Sequence, residues 1–185
     1  IPTTDIIFDG EGKYTLTDVV YAVKSKRSNL SMKLESFAIT DSANVDYFAA
    51  PKNPMDLHEM NDEDVELLIS ELKSMGLYDF IVIDADFNIT PTFKKIIDCS
   101  DKTVIVVNDD ERSAHKVDRM NELMKVFVNN EDFIRTASFI INKEEAAKFD
   151  WSTCKVITKS GAVQGTTFRQ IVDILANNQE FLKLY

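Results

Sequence analysis

The sequence predicts an α/β fold in which a mostly parallel sheet is flanked by helices on both faces. Strand-like and helix-like patterns alternate along the 185 residues, as in chains built from βαβ units. Tyr78–Asp84 and Thr103–Val107 are nearly unbroken apolar runs, which are typical of strands buried on both faces. With 44% hydrophobic residues, a single α/β domain spanning residues 1–185 can bury a sizeable core.

The first half of the chain is predicted to contain mainly helices. Asp18 lies three residues after Thr15, which predicts a capping box. Asn61 is placed to cap a later helix, and Gly76 is placed to end it. The predicted elements are an extended segment at Thr4–Phe8, helices at Thr15–Lys26, Asn29–Phe37 and Asn61–Met75, and a strand at Val45–Ala49.

The second half is predicted to continue the alternation. Pro91 suits the first turn of a helix, which follows the apolar strand Tyr78–Asp84. A longer amphipathic helix directs Val117, Met120, Leu123, Met124 and Phe127 inward. The predicted elements are helices at Pro91–Asp98, Glu111–Val128 and Thr166–Ala176, and strands at Thr103–Val107, Arg135–Asn142 and Cys154–Ile157.

The composition argues against several classes of function. A net charge of −10 and a pI of about 4.7 disfavour nonspecific DNA binding, which needs a basic surface. Two isolated cysteines and two distant histidines suggest neither a disulfide framework nor a zinc site. Because no long apolar run or signal peptide is visible, we expect a cytoplasmic protein without a membrane signal.

Asp84 is the foremost candidate site residue because it ends an apolar strand. Ligands of open α/β sheets gather at the carboxyl ends of the strands. The carboxylate could orient water on Mg²⁺ beside a nucleotide, accept a phosphoryl group in a receiver domain, or be a solvated strand end. A receiver also needs an acidic pair after an earlier strand, and the polar loop at 39–42 does not supply one.

An ordered set of motifs resembles the MinD/ParA group of deviant P-loop ATPases. The set covers nearly the whole chain. Its motifs are Asp5–Val20, the acidic strand Tyr78–Asp84, the strand and helix start Asp101–Ser113, the helical Asp118–Met120, and the strand end Ile140–Lys143. Thr3–Asp5, the Val-Val-Asn-Asp run at 106–109 and Phe168–Ile171 are most similar to the TadZ/CpaE-like pilus-assembly branch.

The resemblance implies a function and a set of site residues. The expected ligands are ATP and Mg²⁺, with Asp84 acting on the metal through water. Asn142 matches an asparagine that can pair with adenine, and Thr158 and Lys159 match the lining of the adenine pocket. The expected protein is a homodimeric spatial regulator, located in the cytoplasm and at the cell pole, with protein partners in a pilus or secretion machine.

Departures from the family pattern keep other functions open. Asp86 adds a negative charge near the expected phosphates, and Asn108-Asp109 replaces the usual Asn-Pro. No glycine pair fits the phosphate-loop spacing, and the sequence begins at Ile1 without an initiator methionine. We therefore expect the larger, C-terminal part of an ATPase domain from a longer protein, without its first strand and phosphate loop. A weak ATPase, a degenerate interaction platform, a ParA-type DNA partition ATPase and a receiver-like signalling domain are the alternatives.

Overall fold

The computed structural model describes residues 8, 10, 12–25, 28–127, 137–144, 150 and 155–161, with only the backbone described for Pro54, Phe127, 142–144 and 155–161. The chain divides into two compact units, residues 1–99 and 100–185. The predicted helix Thr166–Ala176 and most of the extended segment Thr4–Phe8 lie outside the described residues.

The first unit is mainly helical, as its sequence predicts. A small core forms where the first, second and third α-helices meet, around Val19, Val23, Leu34 and Leu72. Its elements are α1 (Leu16–Lys24), α2 (Leu30–Phe37), β1 (Ile39–Thr40), β2 (Asp46–Tyr47), a 3-10 helix (Pro54–Glu59), α3 (Asp62–Met75) and α4 (Pro91–Cys99).

Local capping fixes the ends of these helices, and the predicted caps are confirmed. The Thr15 N–H donates to the Asp18 carboxylate over 2.9 Å at the start of α1. The Asp64 N–H donates to the Asn61 side chain over 2.9 Å at the start of α3. Gly76 ends α3 with a φ of 62°, a left-handed conformation that glycine adopts without steric cost.

A short antiparallel hairpin occupies the place of the predicted strand Val45–Ala49. Strands β1 and β2 pair Ile39 with Tyr47 and Thr40 with Asp46. The preceding chain packs closely on this hairpin, because the Tyr47 hydroxyl donates to the Gly10 carbonyl over 2.8 Å. A Cβ at Gly10 would lie 2.5 Å from the Ile39 side chain, so a larger residue does not fit there.

The predicted strand Tyr78–Asp84 is wrong in the described structure. No strand forms between Tyr78 and Thr90. Tyr78 and Ile81 pack against the helical core, whereas Val82 is 89% exposed. The physical reason is that a strand is stabilised by hydrogen bonds to a neighbouring strand, and an apolar run cannot supply that neighbour by itself.

Tyr78 couples the start of this segment to the hairpin and makes its stability sensitive to alkaline pH. Burial, followed by the charge of Asp46 and a hydrogen bond to it, raises the pKa of Tyr78 above its ordinary 10.0. The folded state therefore holds the phenolic proton more tightly than the unfolded chain. This stabilisation is complete below pH 10 and is lost as the pH rises through the pKa of folded Tyr78.

We expect Tyr78→Phe to reduce the loss of stability that the protein shows when the pH rises above about 10. The measurement is the urea unfolding midpoint at a series of pH values. Tyr21→Phe is the matched control, because Tyr21 is exposed. An equal pH dependence in both variants would contradict this role for Tyr78.

The second unit contains a three-stranded parallel sheet in the order β3-β4-β5. The elements are β3 (Val104–Asn108), α5 (Glu111–Phe127), β4 (Ser138–Glu144) and β5 (Lys155–Gly161). The predicted parallel pairing is thereby confirmed for this part of the chain, and β5 is longer than the predicted Cys154–Ile157. The full sheet flanked on both faces stays a prediction.

The buried apolar residues of the second unit include residues of α5 and of the central strand β4. Phe139 and Ile141 are completely buried. Val117, Met120 and Met124 of α5 are buried as predicted, but Leu123 is exposed, so its predicted inward position is wrong. Strand β3 is exposed on one face, where Val104 and Val106 lie, and half-buried on the other.

Candidate functional site

The carboxyl ends of β3, β4 and β5 bring a row of polar residues together. The strand register places Asn108 opposite Asn142 and Asn142 opposite Ser160. All three residues lie at the carboxyl end of a parallel strand. This edge is where ligands bind in open α/β sheets, so it is the candidate functional site of the second unit.

The three residues predicted for adenine binding are neighbours on this sheet. Asn142 lies on β4, while Thr158 and Lys159 lie on β5 opposite Ile140 and Ile141. The register thus places the three residues within about two positions of one another along adjacent strands. The described structure gives their backbone positions, and their roles in ligand binding stay predictions.

The loop from β3 to α5 adds two aspartates that are not among the predicted site residues. Asp109 is only 5% exposed, although it directly follows the strand end. Asp110 caps α5, because its carboxylate accepts from the Ser113 N–H over 2.8 Å. This bond, a second bond from the Ser113 hydroxyl and the nearby Arg112 hold the pKa of Asp110 below its usual range. A polar run after a strand and before a helix is the signal that indicates such a cap.

Asp84 lies in the first unit, in the exposed segment that follows α3. It is exposed, as are Asp79 and Asp86 on the same segment. The loop after Asp84 leads directly into α4, whose first residue is Pro91. The predicted carboxylate is therefore accessible to a ligand, although it does not end a β-strand as predicted.

The exposed carboxylate of Asp84 fits a Mg²⁺ ion that is held mainly by a nucleotide. Among the described residues, no group of three or more histidine, cysteine, aspartate or glutamate side chains could hold a metal ion. Mg²⁺ usually keeps several waters and takes one or two carboxylates together with phosphate oxygens. A single accessible carboxylate such as Asp84 suits that kind of contact, in which water lies between the metal and the protein.

These features define the class of protein: an α/β protein whose parallel strands carry polar residues at their carboxyl ends. The crystal structure of a ParA family ATPase from Chlorobium tepidum TLS is similar, with a TM-score of 0.66 and 17% sequence identity. The likeness covers 96% of this chain and 71% of that chain. At this identity it shows the fold alone, so the predicted MinD/ParA-like fold is supported and the TadZ/CpaE-like branch stays a prediction.

Sequence comparisons identify no family for this chain. No protein-family model matches the chain, and no curated protein matches it either. In the part of the chain that the structure describes, no helix is both long enough and apolar enough to cross a membrane.

Proposed function

We propose that this chain belongs to an ATP-binding spatial regulator of the MinD/ParA type. ATP with Mg²⁺ is bound between two protomers, and the resulting dimer recruits protein partners. These partners belong to a pilus-assembly or secretion machine at the cell pole. The motifs that resemble the TadZ/CpaE-like branch support this assignment.

The row of polar residues at the sheet edge is the observation that carries this proposal. Asn108, Asn142 and Ser160 lie in register at the carboxyl ends of three parallel strands. A ParA family ATPase has a similar fold. Polar groups at this edge can recognise a base or a phosphate through directional hydrogen bonds. We assign adenine recognition to Asn142, Thr158 and Lys159.

Asp84 is proposed to act on the phosphate side of the nucleotide. When bound, Mg²⁺ neutralises charge on the phosphate oxygens. Asp84 would accept hydrogen bonds from water on the metal and so orient it. The nearby carboxylate of Asp86 lies in the same exposed loop and would repel phosphate. The presence of Asp86 beside Asp84 therefore favours slow rather than rapid hydrolysis of ATP.

We expect Asp84→Ala to weaken ATP binding about tenfold in the presence of Mg²⁺ and to change it little in EDTA. The measurement is isothermal titration of ATP into the full-length protein under both conditions. Asp79→Ala is the matched control, because it removes an exposed carboxylate from the same segment. If the ATP affinity depends on Mg²⁺ equally in Asp84→Ala and in the parent protein, Asp84 is not part of the site.

A catalytically degenerate interaction platform is the second candidate function. The exposed Asp86 favours it, because its carboxylate adds negative charge near the expected phosphates. Light scattering with and without ATP measures dimerisation, and release of inorganic phosphate measures turnover. ATP-dependent dimers without phosphate release would support the platform, whereas steady phosphate release would exclude it.

A further inference from the structure

A chain of hydrogen bonds connects the loop after Asp84 to the start of α4. The Asn88 side-chain amide donates to the Asp86 carbonyl over 3.3 Å. The Thr90 hydroxyl donates to the Asn88 side-chain oxygen over 2.7 Å and accepts from the Phe93 N–H over 3.2 Å. Asn88 and Thr90 therefore connect the backbone of the acidic loop to the first turn of the helix.

An aromatic contact between the loop and α4 reinforces this connection. The rings of Phe87 and Phe93 meet edge to face with their centroids 5.5 Å apart. Phe93 is buried in the first unit, while Phe87 belongs to the loop. The edge-to-face arrangement is attractive beyond the burial of area, so the ring of Phe87 helps to keep the loop close to α4.

Helix α4 supports the loop because it is held against α3 at its middle and at its carboxyl end. In the middle of α4, the Lys95 ammonium lies 2.7 Å from the Glu66 carboxylate. At the carboxyl end of α4, the Lys73 ammonium donates to the Cys99 carbonyl over 2.9 Å. The loop is thus connected to a pair of packed helices, whereas no strand between Tyr78 and Thr90 supports it in the described structure.

We propose that Asn88 and Thr90 are positioning residues, which hold the backbone around Asp84 and Asp86 in the conformation that receives Mg²⁺-nucleotide. This inference rests on the proposed function of Asp84. Ordering a free loop costs conformational entropy. A loop that is already ordered in the free protein avoids part of that cost when the ligand binds.

The test uses Asn88→Ala in the full-length protein. It combines one measurement of loop order with one measurement of ligand binding. Hydrogen exchange followed by mass spectrometry reports on the amides of residues 84–89. Titration of ATP with Mg²⁺ and in EDTA reports on the ligand. We expect faster exchange in this loop and a loss of affinity of about tenfold that occurs only with Mg²⁺.

Substitutions of Thr90 separate positioning from simple stabilisation of α4. Thr90→Val removes the hydroxyl that caps the helix, and we expect it to lower both Mg²⁺-dependent affinity and thermal stability. Thr90→Ser keeps the hydroxyl, and we expect it to restore the affinity. Because Asn88 does not cap α4, Asn88→Ala should change the Mg²⁺ dependence without a comparable change in melting temperature.

The outcomes distinguish this inference from the proposed function. Unchanged exchange in Asn88→Ala would show that the loop does not depend on Asn88 and would overturn the inference. Faster exchange with normal Mg²⁺ dependence would also overturn it, provided that Asp84→Ala weakens binding. If Asp84→Ala has no effect on Mg²⁺-dependent binding, the assignment of Asp84 fails, and positioning toward that ligand fails with it.

Discussion

Phe139→Ala is expected to lower the free energy of unfolding by about 3–5 kcal/mol. Phe139 is 0% exposed and lies on β4, the central strand of its sheet. Removing the ring loses the transfer free energy of its carbons and leaves a cavity that close-packed neighbours fill only in part. The loss is comparable to half of the total stability of a typical domain.

Chemical unfolding monitored by circular dichroism provides the measurement. Val106→Ala is the matched control on the adjacent strand, because Val106 is 63% exposed. We expect this control to cost less than about 1 kcal/mol. Similar losses for Phe139→Ala and Val106→Ala would contradict the placement of Phe139 at the centre of the core.

Asp64→Ala is expected to cost about 2 kcal/mol. Asp64 is 4% exposed and accepts from the Asn61 N–H over 3.2 Å. It also lies 3.4 Å from the Lys24 ammonium, which donates to the Glu59 carbonyl over 2.6 Å. One carboxylate thus joins the end of α1 to the start of α3, and its removal breaks the helix cap and the ion pair together.

Glu63→Ala is the matched control for Asp64→Ala in the same thermal unfolding series. Glu63 also lies in the first turn of α3, but its side chain is exposed. Both variants lose the same favourable interaction with the helix dipole, so the difference between them measures the cap and the ion pair. A difference below about 0.5 kcal/mol, the usual scatter of surface substitutions, would contradict this role for Asp64.

The helices could be predicted from the sequence because their signals are local. Asn61 and Gly76 specify the two ends of α3 through capping and a left-handed turn. The hairpin of β1 and β2 was harder to predict, because two-residue strands show no periodicity. The strand Tyr78–Asp84 is predicted from its apolar run alone, and an apolar run does not specify which strand lies beside it.

The candidate site was predictable to a similar extent. The order of strands along the chain places Asn142 and Lys159 at one sheet edge, and the parallel register agrees. Burial of Asp109 could not be predicted, because an aspartate after a strand is usually solvated. Its position depends on how the loop turns into α5, which is a tertiary effect.

The exposed segment after α3 also has a consequence for solubility. Ile81-Val82-Ile83 is rich in β-branched residues, and Val82 is almost fully exposed, which is the composition of an aggregation-prone segment. Asp79 and Asp84 lie on either side of the run, as charged gatekeepers do around such segments. Asp84, which we propose to act on Mg²⁺ through water, is therefore also expected to protect the chain against aggregation.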